Sequence, residues 1–238
     1  MITLAIDTSE ARGSVAVLQG GRPCAGIAHT DRTDYSEWLI PTVEQVLQRA
    51  GTRMELVDLL AVATGPGSFT GVRVGLTTVK AWCEVYGKPV VGVSRLEALA
   101  RSVRGEGGTL AANYDAQRGQ VFGALYRNWS GRLERIGDEM VSAPESFLEF
   151  AAREAGGAAI HWVSLDPPLI TDLEGWQVRS MRGDVMSKVS SELAATIGMV
   201  GEEKAGRGEF SDPLELDANY VRRSDAEIFW KGPASHVR

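Results

Sequence analysis

Apolar and polar positions along the first hundred residues follow two different periods. Short apolar runs closed by turn-forming residues predict strands at residues 2–9, 13–21, 22–29, 59–64 and 89–93. Apolar residues spaced three and four apart predict helices at residues 35–50, 70–86 and 94–102. This order, three strands followed by helices that alternate with strands, predicts an α/β lobe in which a five-stranded mixed sheet is flanked by helices.

Local signals mark how the predicted helices begin and continue. Asp34 with Glu37 three residues later is a candidate capping box for the first helix. Ser94 is expected to cap the third helix, again with a glutamate three residues on. Pro41 lies inside the first helical pattern, where it removes a backbone hydrogen bond and crowds the preceding turn. Two alternatives follow: a helix kinked at Pro41, or a helix whose regular part begins there.

The second half of the chain is less regular. Strand-like runs occupy residues 109–116, 119–127, 131–136 and 159–164, with a turn at 117–119 and a helix at 144–155. We predict a further helix at 184–201, with Asp184 as its N-cap and one apolar face formed by Met186, Val189, Leu193 and Ile197. The polar stretch 201–212 is expected to be a loop, and residues 224–238 a weakly ordered tail.

Composition narrows the class of protein. Of the 238 residues, 44% are hydrophobic and 24% are charged, which is typical of a globular chain rather than a disordered one. The formal net charge is -6 and the arginines are scattered, so an RNA partner would have to be held mostly by another protein. The two thiols, Cys24 and Cys83, define no disulfide framework. Because no signal peptide and no membrane-length apolar run is visible, we expect a cytoplasmic protein without a membrane contact.

The stretch ATGPGSFTGVRVGL at residues 63–76 combines four glycines with a proline at a predicted strand–helix junction. A phosphate-binding loop of the Walker A type needs a lysine after its last glycine, but Val72 follows Gly71. A strand, a tight turn and a helix N-terminus still form an arrangement that favours anions. The alternative is structural: the first glycines shape the turn, and Gly71 and Gly75 let the helix approach a neighbour closely. The residues favour the second interpretation without excluding the first.

Several strings together resemble one family. They are IDTS and GSVAVL near the start, YSEWLIP at 35–41, GPGSFTGVRVG at 65–75, YDAQRGQVFGALY at 114–126 and NYVRR at 219–223. They closely resemble the TsaB (YeaZ) family, over residues 1 to 223 but strongly only to residue 126. Two positions depart from the family pattern. Tyr35 replaces the usual histidine, and Asp115-Ala116-Gln117 replaces the usual Asp-Ala-Arg.

The resemblance implies an actin/hexokinase/Hsp70-like (ASKHA) ATPase fold of two lobes, the second reduced. We expect an N-terminal lobe at 1–102, a C-terminal lobe at 103–223 and the tail at 224–238. Family members support a TsaD-like catalytic subunit in forming threonylcarbamoyladenosine on tRNA. The resemblance therefore implies that subunit as a direct partner, a TsaE-like ATPase and tRNA as partners within the complex, and self-association when the chain is alone.

The resemblance implies no catalytic residue, metal or cofactor in this chain, with ATP and a metal ion used by partner subunits. The histidines at 29, 161 and 236 lack the spacing of a helical metal pair, and Ser68 is not in a Gly-x-Ser-x-Gly elbow. A small-molecule kinase or ATPase of the same superfamily and a glycoprotease-like peptidase remain the alternatives. Residues that would face a nucleotide if one binds are Asp7, Thr8, Ser9, Gly67, Ser68 and Asp115.

A binding role is favoured by the two helices at 35–50 and 70–86. Both carry apolar side chains beyond the single stripe that one sheet face needs, which is typical of a helix with a second buried contact. The alternative is a helix packed deeply within its own domain. The candidate partner-interface residues are Trp38, Leu39, Val43, Gly71, Arg73, Gly75, Val79 and Trp82. We expect Gly71 and Gly75, four residues apart, to leave a groove for the partner.

Overall fold

The computed structural model describes residues 1–30, 33–103, 107–129 and 132–221. Within those ranges the strands are β1 (Ile2–Asp7), β2 (Ser14–Gln19), β3 (Arg22–Ala28), β4 (Leu59–Ala63), β5 (Val90–Val93), β6 (Thr109–Asp115), β7 (Val121–Trp129), β8 (Arg132–Ser142), β9 (Ile160–Ser164) and β10 (Val185–Lys188). The helices in the same ranges are α1 (Tyr35–Arg49), α2 (Phe69–Tyr86), α3 (Arg95–Arg101), α4 (Pro144–Glu154), α5 (Pro168–Thr171), α6 (Glu174–Met181) and α7 (Ala194–Gly206).

The first sheet has the strand order β3-β2-β1-β4-β5. Strand β1 pairs antiparallel with β2 and parallel with β4, which in turn pairs parallel with β5. The central strands read as continuous apolar runs because both of their faces are covered, and every residue of β4 is buried. The mixed, five-stranded sheet predicted for the first hundred residues is therefore confirmed.

Helices cover both faces of this sheet. Helices α1 and α2 pack on one face, α1 against β2 and β3 and α2 against β4 and β1. Helix α7 packs on the other face, against β1, β2 and β4, and it also contacts α3, which packs against β6 and β7. Helices α3 and α7 thus form the layer between the two sheets, and one continuous apolar cluster joins Leu18 and Ile197 of the first sheet's side to Tyr114 and Tyr126 of the second.

The second sheet has the order β10-β9-β6-β7-β8. Strand β6 pairs antiparallel with β7 and parallel with β9, and β10 pairs parallel with β9. Helices α4, α5 and α6 pack together on its outer face around Phe147, Trp162 and Ile170, which are all buried. Both sheets therefore bury apolar residues on each of their faces.

The prediction for residues 184–201 is wrong in part. Residues Val185–Lys188 form strand β10 and the helix begins only at Ala194, after which it runs to Gly206 through part of the predicted loop. Asp184 is not an N-cap, because its carboxylate accepts hydrogen bonds from the Arg179 guanidinium and the Trp162 indole. Helices α5 and α6 and strand β10 were not predicted from the sequence.

The predicted helix starts are partly correct. Ser94 caps α3, and its hydroxyl accepts hydrogen bonds from the backbone N–H groups of Leu96 and Glu97. Asp34 precedes α1 but makes no side-chain capping hydrogen bond, so the predicted capping box is wrong. Helix α1 begins at Tyr35 and includes Pro41, so its regular part does not start at the proline.

Residues 211–221, called the C-terminal strap below, return to the first sheet. Ser211 bridges Val90 of β5, the strap buries Leu216, and the Asn219 N–H donates to the Thr64 carbonyl at 2.7 Å. The predicted boundary between residues 102 and 103 falls between α3 and β6. Helix α7 and the C-terminal strap come after this boundary in the chain but pack on the first sheet. The predicted tail at 224–238 lies outside the described residues. Among the helices of the described ranges, none has the length and apolar character that a membrane span requires.

Candidate functional site

The glycine-rich turn between β4 and α2 is packed against the end of β1. A Cβ atom added at Gly67 would lie 2.1 Å from the Ser9 carbonyl oxygen, and one at Gly71 would lie 2.1 Å from the Thr8 carbonyl oxygen. The Ser68 N–H donates to the same Ser9 carbonyl at 2.7 Å. No side chain larger than hydrogen fits between the turn and β1, because real Cβ atoms do not approach oxygen so closely.

The N–H groups of Gly71 and Val72 in the first turn of α2 are bonded within the chain. The Ser68 hydroxyl accepts a hydrogen bond from the Gly71 N–H at 3.3 Å, and the Thr8 hydroxyl donates to the Gly71 carbonyl at 2.7 Å. A phosphate site at a helix N-terminus needs free N–H groups that point into open space. The geometry instead supports the structural interpretation of this turn.

Several candidate interface residues prove to be internal. Gly71 and Gly75 are buried and face Thr8, so the expected partner groove between them is wrong. Leu39, Val43 and Val79 belong to the apolar core beneath α1 and α2. The physical reason is that the same helix face that shows a regular apolar stripe is the face that packs on the sheet.

An open groove does lie between α1 and α2, about 510 Å³ in volume. It is called the α1–α2 groove here. Its lining residues are Tyr35, Ser36, Leu39 and Ile40 from α1, and Phe69, Thr70, Arg73, Val74, Thr77 and Thr78 from α2. Ile40 is 51% exposed and Phe69 is 42% exposed, and both lie in the same groove. The groove is therefore an apolar surface that the chain itself leaves partly uncovered.

Arg73, a predicted interface residue, lies at the rim of the groove. Its guanidinium carbon is 3.7 Å from the centre of the Phe69 ring, and its Nε donates to the Tyr220 hydroxyl at 2.8 Å. Trp38 and Trp82 are half-buried at the edge of the core under the two helices, and their part in an interface stays a prediction. Ile40 and Phe69 were absent from the candidate set, although both stand in motifs that the sequence singles out.

Tyr35, which replaces the family's usual histidine, connects the start of α1 to the β1–β2 turn. Its hydroxyl donates to the Glu10 carbonyl and accepts from the Gly13 N–H at 2.6 Å. Burial raises the pKa of Tyr35 to about 12, so the hydroxyl keeps its proton and its donor role at neutral pH. A Cβ at position 13 would lie 2.3 Å from the Asp7 carbonyl oxygen and 2.5 Å from the Tyr35 oxygen, which explains the glycine there.

Asp7, the residue expected to face a nucleotide if one binds, is fully buried in an ion pair. Arg95 Nε lies 3.1 Å from Asp7 Oδ2, both side chains are 0% exposed, and the Ser9 N–H donates to Oδ1 at 2.9 Å. Burial opposes the charge on Arg95, but the Asp7 carboxylate and its neighbours outweigh this and raise the pKa of the guanidinium above its ordinary value. Asp7 is therefore paired with the chain's own cation, out of contact with solvent.

Tyr114 closes the space between the two lobes at this point. Its hydroxyl donates to the Pro66 carbonyl at 2.6 Å, and the Arg95 guanidinium carbon lies 4.6 Å from the centre of its ring. Thr8 and Ser9 are buried in the same place, at 2% and 0% exposure. Asp7, Thr8 and Ser9 are thus enclosed by the chain's own side chains in this structure, and a contact between them and a nucleotide stays a prediction.

The other nucleotide-facing candidates are not assembled into one site. Gly67 lies on Ser9, and Ser68 is exposed and caps α2. Asp115 accepts a hydrogen bond from the Gln117 N–H at 2.7 Å and lines a separate shallow depression with Asp166 and Asp172. Within the described ranges, no three His, Cys, Asp or Glu side chains come together in an arrangement that could hold a metal ion.

Comparisons with known proteins agree with this geometry. The family model "TsaD: tRNA N6-adenosine threonylcarbamoyltransferase" matches residues 29–174. The "tRNA threonylcarbamoyladenosine biosynthesis protein TsaB" of Bacillus subtilis is 30% identical over 232 residues, which cover 97% of this chain and 98% of that protein. The solved structure of YeaZ from Pseudomonas aeruginosa has a TM-score of 0.74 at 27% identity, covering 92% of this chain and 99% of its own.

The ROK hexokinase from Thermus thermophilus is similar in fold alone, with a TM-score of 0.52 at 13% identity over 86% of this chain and 100% of that one. The predicted two-lobed fold of the actin/hexokinase/Hsp70 type is thereby confirmed. Sequence likeness over the whole length, the fold and the glycine turn all agree, and the chain belongs to the TsaB (YeaZ) family.

Proposed function

We propose that this chain is the non-catalytic subunit that binds a TsaD-like enzyme during the formation of N6-threonylcarbamoyladenosine on tRNA, and that the α1–α2 groove forms the contact. The exposed apolar lining of the groove carries the proposal. Water contact with Ile40 and Phe69 is unfavourable, so covering them with a partner's side chains favours association.

The interior of the chain supports the non-catalytic part of the proposal. A superfamily member that turns over ATP needs a carboxylate that can reach a metal-bound water between its lobes. Here Asp7 is paired with Arg95 and covered by Tyr114. Releasing Asp7 would leave a buried guanidinium without its counter-charge, which is costly.

The remaining partners follow from the net charge of the chain and from its proposed role as a subunit. The net charge of -6 does not favour direct capture of tRNA, so we place tRNA on the catalytic subunit and a TsaE-like ATPase in the same assembly. We place the complex in the cytoplasm. Without the enzyme, two copies of this chain are expected to associate at high protein concentration, as a symmetric pair.

The test is a binding titration of the purified full chain with the TsaD-like protein of the same organism. Ile40→Lys places a charge in the groove and is expected to weaken binding at least about tenfold, which corresponds to about 1.4 kcal/mol. Val85→Lys is the matched control, because Val85 is 72% exposed on α2 and does not line the groove. Equal binding by both variants would show that the groove is not the contact.

A further inference from the structure

The C-terminal strap leads the chain to the edge of the α1–α2 groove. It runs beside α2 in the opposite direction: Lys80 Nζ donates to the Leu214 carbonyl at 3.5 Å, and Arg73 Nε donates to the Tyr220 hydroxyl at 2.8 Å. The ring centres of Tyr220 and Phe69 are 5.4 Å apart. The described part of the chain thus ends one residue after a side chain fixed at the N-terminal end of α2.

Phe69 and Arg73 belong both to the strap contact and to the lining of the groove. The strap therefore reaches the rim of the groove without crossing any other element. The C-terminal strap is itself fixed to the rest of the fold, because Leu216 is buried and the Asn219 N–H donates to the Thr64 carbonyl. The residues that follow start from a fixed point next to an uncovered apolar surface.

The residues after the strap match the chemistry of that surface. They read RRSDAEIFWKGPASHVR, with three consecutive large apolar side chains at 228–230 preceded by Asp225 and Glu227. The groove offers apolar lining around Ile40 and Phe69 and a cation, Arg73, at its rim. The apolar side chains at 228–230 fit the apolar lining, and the acidic side chains before them fit Arg73.

The connection is long enough. Ile228 lies eight positions after Tyr220, and an extended chain covers about 26 Å over that number of steps. Helix α2 has 18 residues and is about 27 Å long at 1.5 Å per residue. Because the groove spans only the first part of α2, from Phe69 to Thr78, the apolar triplet can reach all of it.

We propose that residues 225–230 occupy the α1–α2 groove of their own chain when no partner is bound, with Phe229 and Trp230 against Ile40 and Phe69. A segment tied by so short a connection has an effective concentration in the millimolar range. A protein that uses the same groove must displace it, so its apparent affinity falls with the fraction of chains whose groove is open. This competition rests on the function proposed above; the docking itself does not.

The docking is tested on the full chain alone by placing p-benzoylphenylalanine at position 229 and irradiating at low protein concentration. Mass spectrometry is expected to find the crosslinks on peptides from residues 35–40 or 69–78 of the same chain. Ile40→Lys should lower their yield about tenfold, since a lysine charge in an apolar contact costs at least one factor of ten in the docking equilibrium. Val85→Lys should leave the yield unchanged.

Three outcomes overturn the proposal: crosslinks on other surfaces, crosslinks between labelled and unlabelled copies in a mixture, or no crosslink at all. A second measurement addresses the competition. Phe229→Ala in the full chain should tighten binding of the TsaD-like protein at least about threefold, and the control His236→Ala should not. If the crosslinks form as expected but Phe229→Ala leaves binding unchanged, the docking stands and the partner's site in the groove is refuted.

Discussion

Adding one methyl group at position 75 probes the glycine turn directly. Its Cβ would lie 2.5 Å from Oγ1 of Thr8, a hydroxyl that donates to the Gly71 carbonyl at 2.7 Å. In Gly75→Ala the Thr8 side chain has to rotate, and the buried hydrogen bond is lost. Overpacking and the lost hydrogen bond of the buried Thr8 hydroxyl oppose a gain of about 1 kcal/mol in helix propensity, so we expect the free energy of unfolding to fall by about 3 kcal/mol.

A double-mutant cycle separates side-chain from backbone clashes. The atom that position 75 meets is removed in Thr8→Ala, so in that background Gly75→Ala should cost about 1 kcal/mol or less. At position 71 the added Cβ would meet the Thr8 carbonyl oxygen at 2.1 Å, and backbone cannot rotate away. Gly71→Ala should therefore be at least as costly as Gly75→Ala, and Thr8→Ala should not relieve it.

The assay is urea unfolding followed by circular dichroism, with the slope of the transition checked for each variant. Gly206→Ala serves as the control, because nothing lies within 4 Å of its added Cβ; it should change stability by no more than about 1 kcal/mol. The packing account of the turn is refuted if Gly71→Ala and Gly75→Ala unfold like the parent chain. It is equally refuted if Thr8→Ala rescues both variants to the same degree.

Three further predictions concern the space between the lobes. Arg95→Met leaves the buried Asp7 carboxylate without its cation and should lower the free energy of unfolding by about 3–5 kcal/mol in the same urea assay; an unchanged midpoint would contradict the ion pair. Tyr114→Phe removes the donor to the Pro66 carbonyl and should cost about 1–3 kcal/mol by thermal or urea unfolding, and a neutral result would show that this bond is not formed. Burial raises the pKa of Glu10 above that of an ordinary glutamate. At a pH above the ordinary pKa, the folded chain still holds this proton while the unfolded chain has released it, so the free energy of unfolding falls as the pH rises. Glu10→Gln should flatten that fall in urea midpoints measured from about pH 4 to about pH 7, and an unaltered pH profile would contradict the assignment.

The first lobe could be predicted from sequence because its signals are local and strong. Strand β4 is an uninterrupted apolar run, and α2 is followed by Gly87 as its C-cap, where a φ of 62° suits glycine. The failure at 184–201 has an equally local cause. Met186 and Val189 happen to match a helical spacing, while the carboxylate of Asp184, which resembles an N-cap, is used by Arg179 five residues earlier.

The two helices that border the groove were candidates from the sequence, but among the residues that line it only Leu39 and Arg73 were. An excess of apolar positions on α1 and α2 correctly singles out these helices as the borders of the groove. The glycines of α2 face Thr8, which lies more than sixty residues earlier in the chain. The periodic pattern within one helix gives no information about such a distant contact. The exposure of Ile40 and Phe69 likewise follows from how far apart the two helices lie, which only the packed structure determines.

Reconstituted modification of tRNA tests the central claim most directly. The rate of threonylcarbamoyladenosine formation is measured with the TsaD-like enzyme and its other partners held constant while this chain is titrated in. We predict that Ile40→Lys reaches the same maximum rate as the parent chain but needs at least about tenfold more protein, since the groove supplies binding and not chemistry. A variant that saturates at the parent's concentration, or one that saturates at a much lower rate, would contradict it.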